Sequence, residues 1–252
     1  MDTMAQRYAR LAPFMRWYGP DDDKPRPVIV FFHGCGGLRP HVTHYAEAAA
    51  RTGIRALVVD SFGPRGWDRN FAVSLVCSGA VFQGYERAGD VLSVLWGLKQ
   101  EGRISEVMLA GFSHGGWAIM DLMTDPLTRP GAVKIADPDA GLADAVRALF
   151  LVYPYINFPA RSSSHNWVRK PETFAVLASK DHLTPIRHSR KVFMRLEEDG
   201  LPVETLELNA THAFDEEDNK GIVMRYDPVA VAASIAAMQG FIEQVFGAKV
   251  LL

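Results

Sequence analysis

The 252-residue sequence has only two cysteines, Cys35 and Cys77. Two thiols cannot complete a zinc site unaided, and in a reducing compartment they stay unpaired. Two free thiols are therefore expected. A single bridge, between the glycine-rich loop that holds Cys35 and the long excursion that holds Cys77, is the alternative. Net charge is nearly absent, with 27 basic side chains against 29 acidic and a balance of −2. No polyanion is favoured by that balance, and nucleic acid is not an expected partner. No unbroken apolar run approaches the roughly 18 residues that span a bilayer, so no membrane association is expected. Residues 1–17 scatter Arg7, Arg10 and Arg16 through a segment without a continuous apolar stretch, unlike a secretory signal. The expected location is the cytoplasm, with a processed secreted or periplasmic form as the alternative.

Nucleotide-binding loops are missing as well. The segment His33-Gly34-Cys35-Gly36-Gly37 lacks the lysine of G-x-x-x-x-G-K-[ST], and G-x-G-x-x-G is not matched. His41 and His44 stand three apart but have no third ligand at metal spacing, and they read as the solvated start of a helix. Neither a metal nor an organic cofactor is expected. Internal repeats and low-complexity tracts are also lacking.

What is present suits one large α/β domain covering 1–252, with 48% hydrophobic and 22% charged residues. Residues 1–27 read as a polar, proline-punctuated lead-in with at most a short strand or helix. Beyond them, short apolar β-branched runs at 28–32, 55–60, 107–110, 147–153, 172–179 and 203–208 alternate with helical patterns at 41–52, 85–100, 116–120, 186–199 and 228–246. Alternation of this kind implies a doubly wound, mostly parallel sheet flanked by helices in three layers. Two segments, 61–84 and 154–170, lose periodicity, and loops of such length usually cover or line a site.

The chain is organised around Gly111-Phe112-Ser113-His114-Gly115, a G-x-S-x-G pentapeptide between a buried strand and an apolar helix. A chain reversing from strand to helix within a few residues strains its central residue, and side chains two before and two after it would collide. Glycines occupy both places. The serine hydroxyl is thereby held out at the carboxyl edge of the sheet, beside the amino end of a helix.

Parallel sheets bind ligands at the carboxyl ends of their strands. Ser113, Asp181, His212 and the loop 34–37 each follow directly after a strand, so all four are expected on one edge. Their order matches that of α/β-hydrolases. With H-G-C-G-G, D-S-F-G-P-R-G, G-F-S-H-G-G, S-K-D-H-L-T-P and T-H-A-F in sequence, residues 28–246 resemble the dienelactone-hydrolase-like group of the α/β-hydrolase fold. Dienelactone hydrolase proper has a cysteine where this chain has Ser113. The resemblance implies a serine nucleophile at 113, a base at His212, an acid at Asp181, and an oxyanion hole from the backbone N–H groups of Cys35 and His114.

Other residues compete for these roles. His33, His114, His182 and His188 flank the same turns, but only His212 lies between the last strand and the last helix. Asp137, Asp139 and Asp215 are the other acids, and Asp215, three residues past His212, reads as a loop or cap residue. Arg65, between Pro64 and Gly66, could offer its fork to a substrate carboxylate or form a structural salt bridge. Tyr155, with Phe158 and Trp167, is either pocket wall or packing. The expected activity is hydrolysis of a small-molecule carboxylic ester or lactone. A small peptidase or acyl-peptide hydrolase of prolyl-oligopeptidase type, or a hydrolase fold that only binds a small molecule, are the alternatives. The oligomeric state is left open, a homodimer being one option.

Overall fold

The computed structural model describes residues 1–77 and 79–247. In chain order the elements are α1 (Met4–Leu11), β1 (Met15–Tyr18), β2 (Arg26–Phe32), α2 (Pro40–Ala50), β3 (Arg55–Val59), α3 (Arg69–Phe71), α4 (Gly84–Glu101), β4 (Ile104–Phe112), α5 (His114–Thr124), α6 (Ala140–Asp144), β5 (Val146–Val152), β6 (Glu172–Ala178), α7 (Ile186–Glu198), β7 (Val203–Leu208) and α8 (Pro228–Phe246). The seven strands form one sheet in the order β1-β3-β2-β4-β5-β6-β7. All neighbours are parallel except β1, which pairs antiparallel with β3.

The two-residue period of the strands divides the core. Val28, Val30, Phe32, Leu109, Leu149 and Leu151 pack with α1, α4, α5 and α7 on one face. Ile29, Phe31, Met108, Ala110 and Phe150 pack with α2 and α8 on the other. Central strands buried on both faces need no polar alternation, which is why they appear as continuous apolar runs.

Four expectations are corrected. The lead-in holds both a helix and a strand. Thr3 caps α1 in a reciprocal capping box with Gln6, and β1 extends the sheet by one edge strand. His41 is not at a solvated helix start, for it is 4% exposed and its ring packs on Phe112 at 5.0 Å; only His44 faces out. The closing helix α8, 19 residues long, does meet the length and composition of a membrane span. A search for unbroken apolar runs misses it because its alanines and small polar residues dilute the signal while Glu243 is its single charge. One side of α8, with Met238, Phe241 and Ile242, is buried in the core. Finally, Cys35 and Cys77 are not free thiols but form a disulfide. The excursion 61–84, where α3 runs into a π turn over Ala72–Val76, folds back on the glycine loop and brings the two Cα atoms to 5.1 Å. A separation of 42 residues gives no sign of that approach.

Candidate active site

Strand β4 ends and α5 begins at Ser113, whose backbone takes φ +48° and ψ −109°. A non-glycine residue at positive φ is strained and persists only where its surroundings enforce it. Here the glycines do so. A Cβ on Gly111 would stand 2.5 Å from the Gly116 nitrogen, and one on Gly115 would run into the Phe32 carbonyl on β2. The turn is pinned further by the Ser113 N–H donating to Val152 O and by Ser113 O accepting from Tyr155 N–H.

His212 comes from the loop after β7 and Asp181 from the loop after β6. His212 Nε2 lies 2.9 Å from Ser113 Oγ, and its Nδ1 lies 2.6 Å from Asp181 Oδ2. The other oxygen of Asp181 accepts the backbone N–H groups of Leu183 at 2.8 Å and Thr184 at 2.9 Å. With its acceptors so engaged, the carboxylate fixes the tautomer: Nδ1 carries the proton and Nε2 accepts from the serine hydroxyl. All three side chains are buried, at 6%, 8% and 3% exposure for Ser113, Asp181 and His212. The four features expected on one edge of the sheet do meet there.

The competing histidines are otherwise engaged. The His114 ring turns away from Ser113. Its Nε2 donates to Phe82 O at 2.8 Å and its Nδ1 accepts from Arg87 at 3.2 Å, while burial, then the Arg87 charge, hold its pKa well below the usual value. His33 is pushed down to about 4 by burial and by Arg87, and its ring bridges Gly34 O and the Ser61 N–H. His188 Nδ1 meets Asn157 Oδ1 at 2.5 Å. His182 stacks edge-on at 6.3 Å from His212 but forms no part of the serine contact.

Asp137 accepts the Met4 N–H at the start of α1 at 2.8 Å and Asp139 caps α6, both away from this cluster. Asp215 is neither an acid partner of His212 nor a surface cap. It is 2% exposed, and its Oδ1 accepts from Tyr153 OH at 2.5 Å. Burial raises its pKa to about 7. Tyr153 in turn lays its ring against His212, with centroids 4.8 Å apart. Sequence reasoning missed this brace, because a residue three past His212 carries no local signal of where its side chain goes.

A pocket of about 220 Å³ opens on Ser113 and is lined by Cys35, Cys77, His114, Trp117, Tyr155, Phe158, Pro159 and Leu183 among others. Of the two readings of Tyr155, pocket wall or packing, the geometry is that of the wall, with its hydroxyl donating to Phe158 O at 2.8 Å. Arg65 does not line the pocket. Its fork is bound bidentately to Asp90, with both N–O distances 2.9 Å, and its guanidinium lies over the Phe82 ring at 4.1 Å. Of the two readings of Arg65, the geometry is that of the salt bridge. Trp117, one helical turn past Ser113, was the pocket residue most open to discovery from sequence, since its place on α5 follows from that of Ser113. A larger groove of about 850 Å³ lies by Val146, Glu172 and Val203 at the opposite edge of the sheet. None of the residues gathered around Ser113 lines it.

A seven-stranded, mostly parallel sheet flanked by helices, with a serine at the sharp turn after a central strand, defines an α/β-hydrolase. The sequence matches the dienelactone hydrolase family over residues 15–246, and the chain belongs to that family of hydrolases. Among solved structures it is similar to a dienelactone hydrolase-like promiscuous phosphotriesterase from metagenomic libraries, with TM-score 0.72, 19% identity, and 92% of each chain covered. It is also similar to Thermogutta terrifontis esterase 2 phosphoramylated by tabun, with TM-score 0.66, 16% identity, and coverage of 92% of this chain and 89% of that one. A third is Est1E from Butyrivibrio proteoclasticus with ferulic acid bound, with TM-score 0.64, 13% identity, and coverage of 92% and 95%. At these identities the likeness is one of fold. No curated protein matches the sequence.

Proposed function

We propose that this hydrolase cleaves a carboxylic ester or lactone through an acyl-enzyme on Ser113. The observation that carries the reading is the buried relay from Asp181 to His212 to Ser113, at 2.6 and 2.9 Å. In the first step Ser113 Oγ attacks the carbonyl carbon while His212 Nε2 takes the hydroxyl proton. Asp181 holds the imidazole in register and stabilises its transient charge. The carbonyl oxygen becomes an oxyanion received by the N–H groups of Cys35 and His114, the latter at the positive end of α5. One such donor is worth about 3 kcal/mol in the transition state. Collapse breaks the ester C–O bond, and the departing alkoxide takes the proton from His212. Water, deprotonated by His212, then attacks the acyl carbon and releases the acid and the free serine.

The phosphoramylated state named for the Thermogutta esterase supports the same expectation for this chain. An organophosphorus fluoride should bond to Ser113 with loss of fluoride. Intact mass and peptide mapping read the adduct, and hydrolysis of short p-nitrophenyl esters is measured alongside. Labelling at Ser113 that disappears in Ser113→Ala, together with ester turnover well above that on aminoacyl p-nitroanilides, is the expected result. Folded protein that takes no label would make it a binding protein. Faster anilide cleavage would make it a peptidase. The disulfide suits an oxidising compartment, so we place this chemistry outside the reducing cytoplasm, and thiol mapping of protein taken from its native host tests that placement.

A further inference from the structure

The pocket beside Ser113 has a chemical character of its own. Its wall is built from Val76, Trp117, Tyr155, Phe158, Pro159 and Leu183, closed on one side by the Cys35–Cys77 bridge. Beyond Ser113 and His114, its polar side chains are Gln83 and Tyr155, and the Tyr155 hydroxyl is spent on Phe158 O. Among the described residues no Lys, Arg, Asp or Glu lines it. The nearby arginines face groups outside the pocket, Arg69, beside Gly36, standing 3.8 and 3.9 Å from the carboxylates of Glu216 and Asp218. Arg65 is held by Asp90. Arg87 is fully buried against His33 O, Ser61 Oγ and His114. Arg161 lies over the Tyr85 ring at 3.3 Å, with Asp125 at 3.7 Å. A carboxylate brought into this pocket would shed water and find no counter-charge, a cost no apolar contact offsets.

Size and shape narrow the ligand further. A closed apolar cavity of about 150 Å³ holds a benzene molecule, so about 220 Å³ takes one ring and a short linker. Trp117 and Tyr155, with centroids 5.2 Å apart and planes tilted by 42°, form a corner against which a third ring can stack or stand on edge. Phe158, 90% exposed, stands at the mouth.

We propose that the preferred substrates are uncharged esters carrying a single aromatic ring next to the scissile bond, and that anionic lactones are rejected. This rests on the serine-hydrolase reading of the site. Two matched series vary one half of the ester at a time, and each enzymatic rate is divided by the rate at which hydroxide hydrolyses the same ester, so that intrinsic reactivity cancels. One is methyl phenylacetate, methyl cyclohexylacetate and methyl 4-carboxyphenylacetate; the other is benzyl acetate, cyclohexylmethyl acetate and 4-carboxybenzyl acetate. Hydrolysis is followed by proton release at constant pH. In at least one series the aryl ester should exceed its carboxylated analogue tenfold or more in kcat/KM and exceed the cyclohexyl ester several-fold. Parity or preference for the carboxylated member in both series overturns the proposal, as does parity of cyclohexyl with aryl. Phe158→Ala, at an exposed ring that bears no core load, should raise KM for the preferred aryl ester several-fold, and an unchanged KM counts against the pocket assignment. Organophosphorus labelling of Ser113 keeps the two levels apart. Labelled protein that ignores aryl esters defeats the substrate class alone, and unlabelled protein defeats the nucleophile.

Discussion

Asp181 spends one oxygen on two backbone amides and the other on His212. Asp181→Asn would keep the shape but present an amide where an acceptor is needed, turning the imidazole to the wrong tautomer. We expect kcat for an ester to fall roughly a thousand-fold or more with little change in KM, and steady-state kinetics beside a thermal melt separates this from unfolding. Asp215 makes a different prediction. With its pKa raised by burial from the usual 3.8 to about 7, the folded state keeps a proton that the unfolded state gives up. Stability from this group is therefore full below about pH 4 and is lost as pH rises toward 7. Asp215→Asn, still able to accept from Tyr153 OH, removes that dependence. Between pH 5 and 8 its melting temperature should fall less than that of the wild type, and parallel curves would count against a protonated carboxyl at 215. Of these residues, Ser113, Asp181 and His212 were legible in the sequence because each directly follows a strand. The brace from Asp215 through Tyr153 was not, since it joins two loops 62 residues apart.

Among the elements, alternating strands and helices could be read from residue 28 onward because buried parallel strands and amphipathic helices have distinct periods. The edge strand β1 could not, since Met15–Tyr18 is short and half exposed. Helix α1 was readable in principle, for Thr3-Met4-Ala5-Gln6 fits the capping-box pattern. The excursion 61–84 was recognised as a site-lining loop, but its attachment was misjudged. The bridge ties the residue that supplies the proposed oxyanion N–H at Cys35 to the π turn ending at Val76. Closing a loop of 42 residues contributes about 4 kcal/mol by chain entropy. Treatment with a small dithiol, which is oxidised to its cyclic disulfide as the bridge is reduced to two thiols, should lower both melting temperature and kcat, with recovery on reoxidation. Cys77→Ser, which leaves the Cys35 amide in place, should reproduce the loss and be insensitive to the dithiol. Unchanged kcat in both would show that the loop holds its shape without the bridge.

Across the whole molecule, the sheet order gathers four loops from distant parts of the chain onto one edge and leaves the larger groove on the other. The family match begins at residue 15, so helix α1 lies outside the matched span. Yet Arg7 on α1 donates at 2.8 Å to the fully buried Asp90, the same carboxylate that grips Arg65 from the excursion beside the pocket. A chain begun at Met15 would leave that carboxylate with one cation instead of two, and breaking a buried ion pair typically costs about 3–5 kcal/mol. A helix outside the matched span thus serves as ballast for the excursion that runs beside the pocket, and trimming it should register as a lower melting temperature and altered ester selectivity far from the cut.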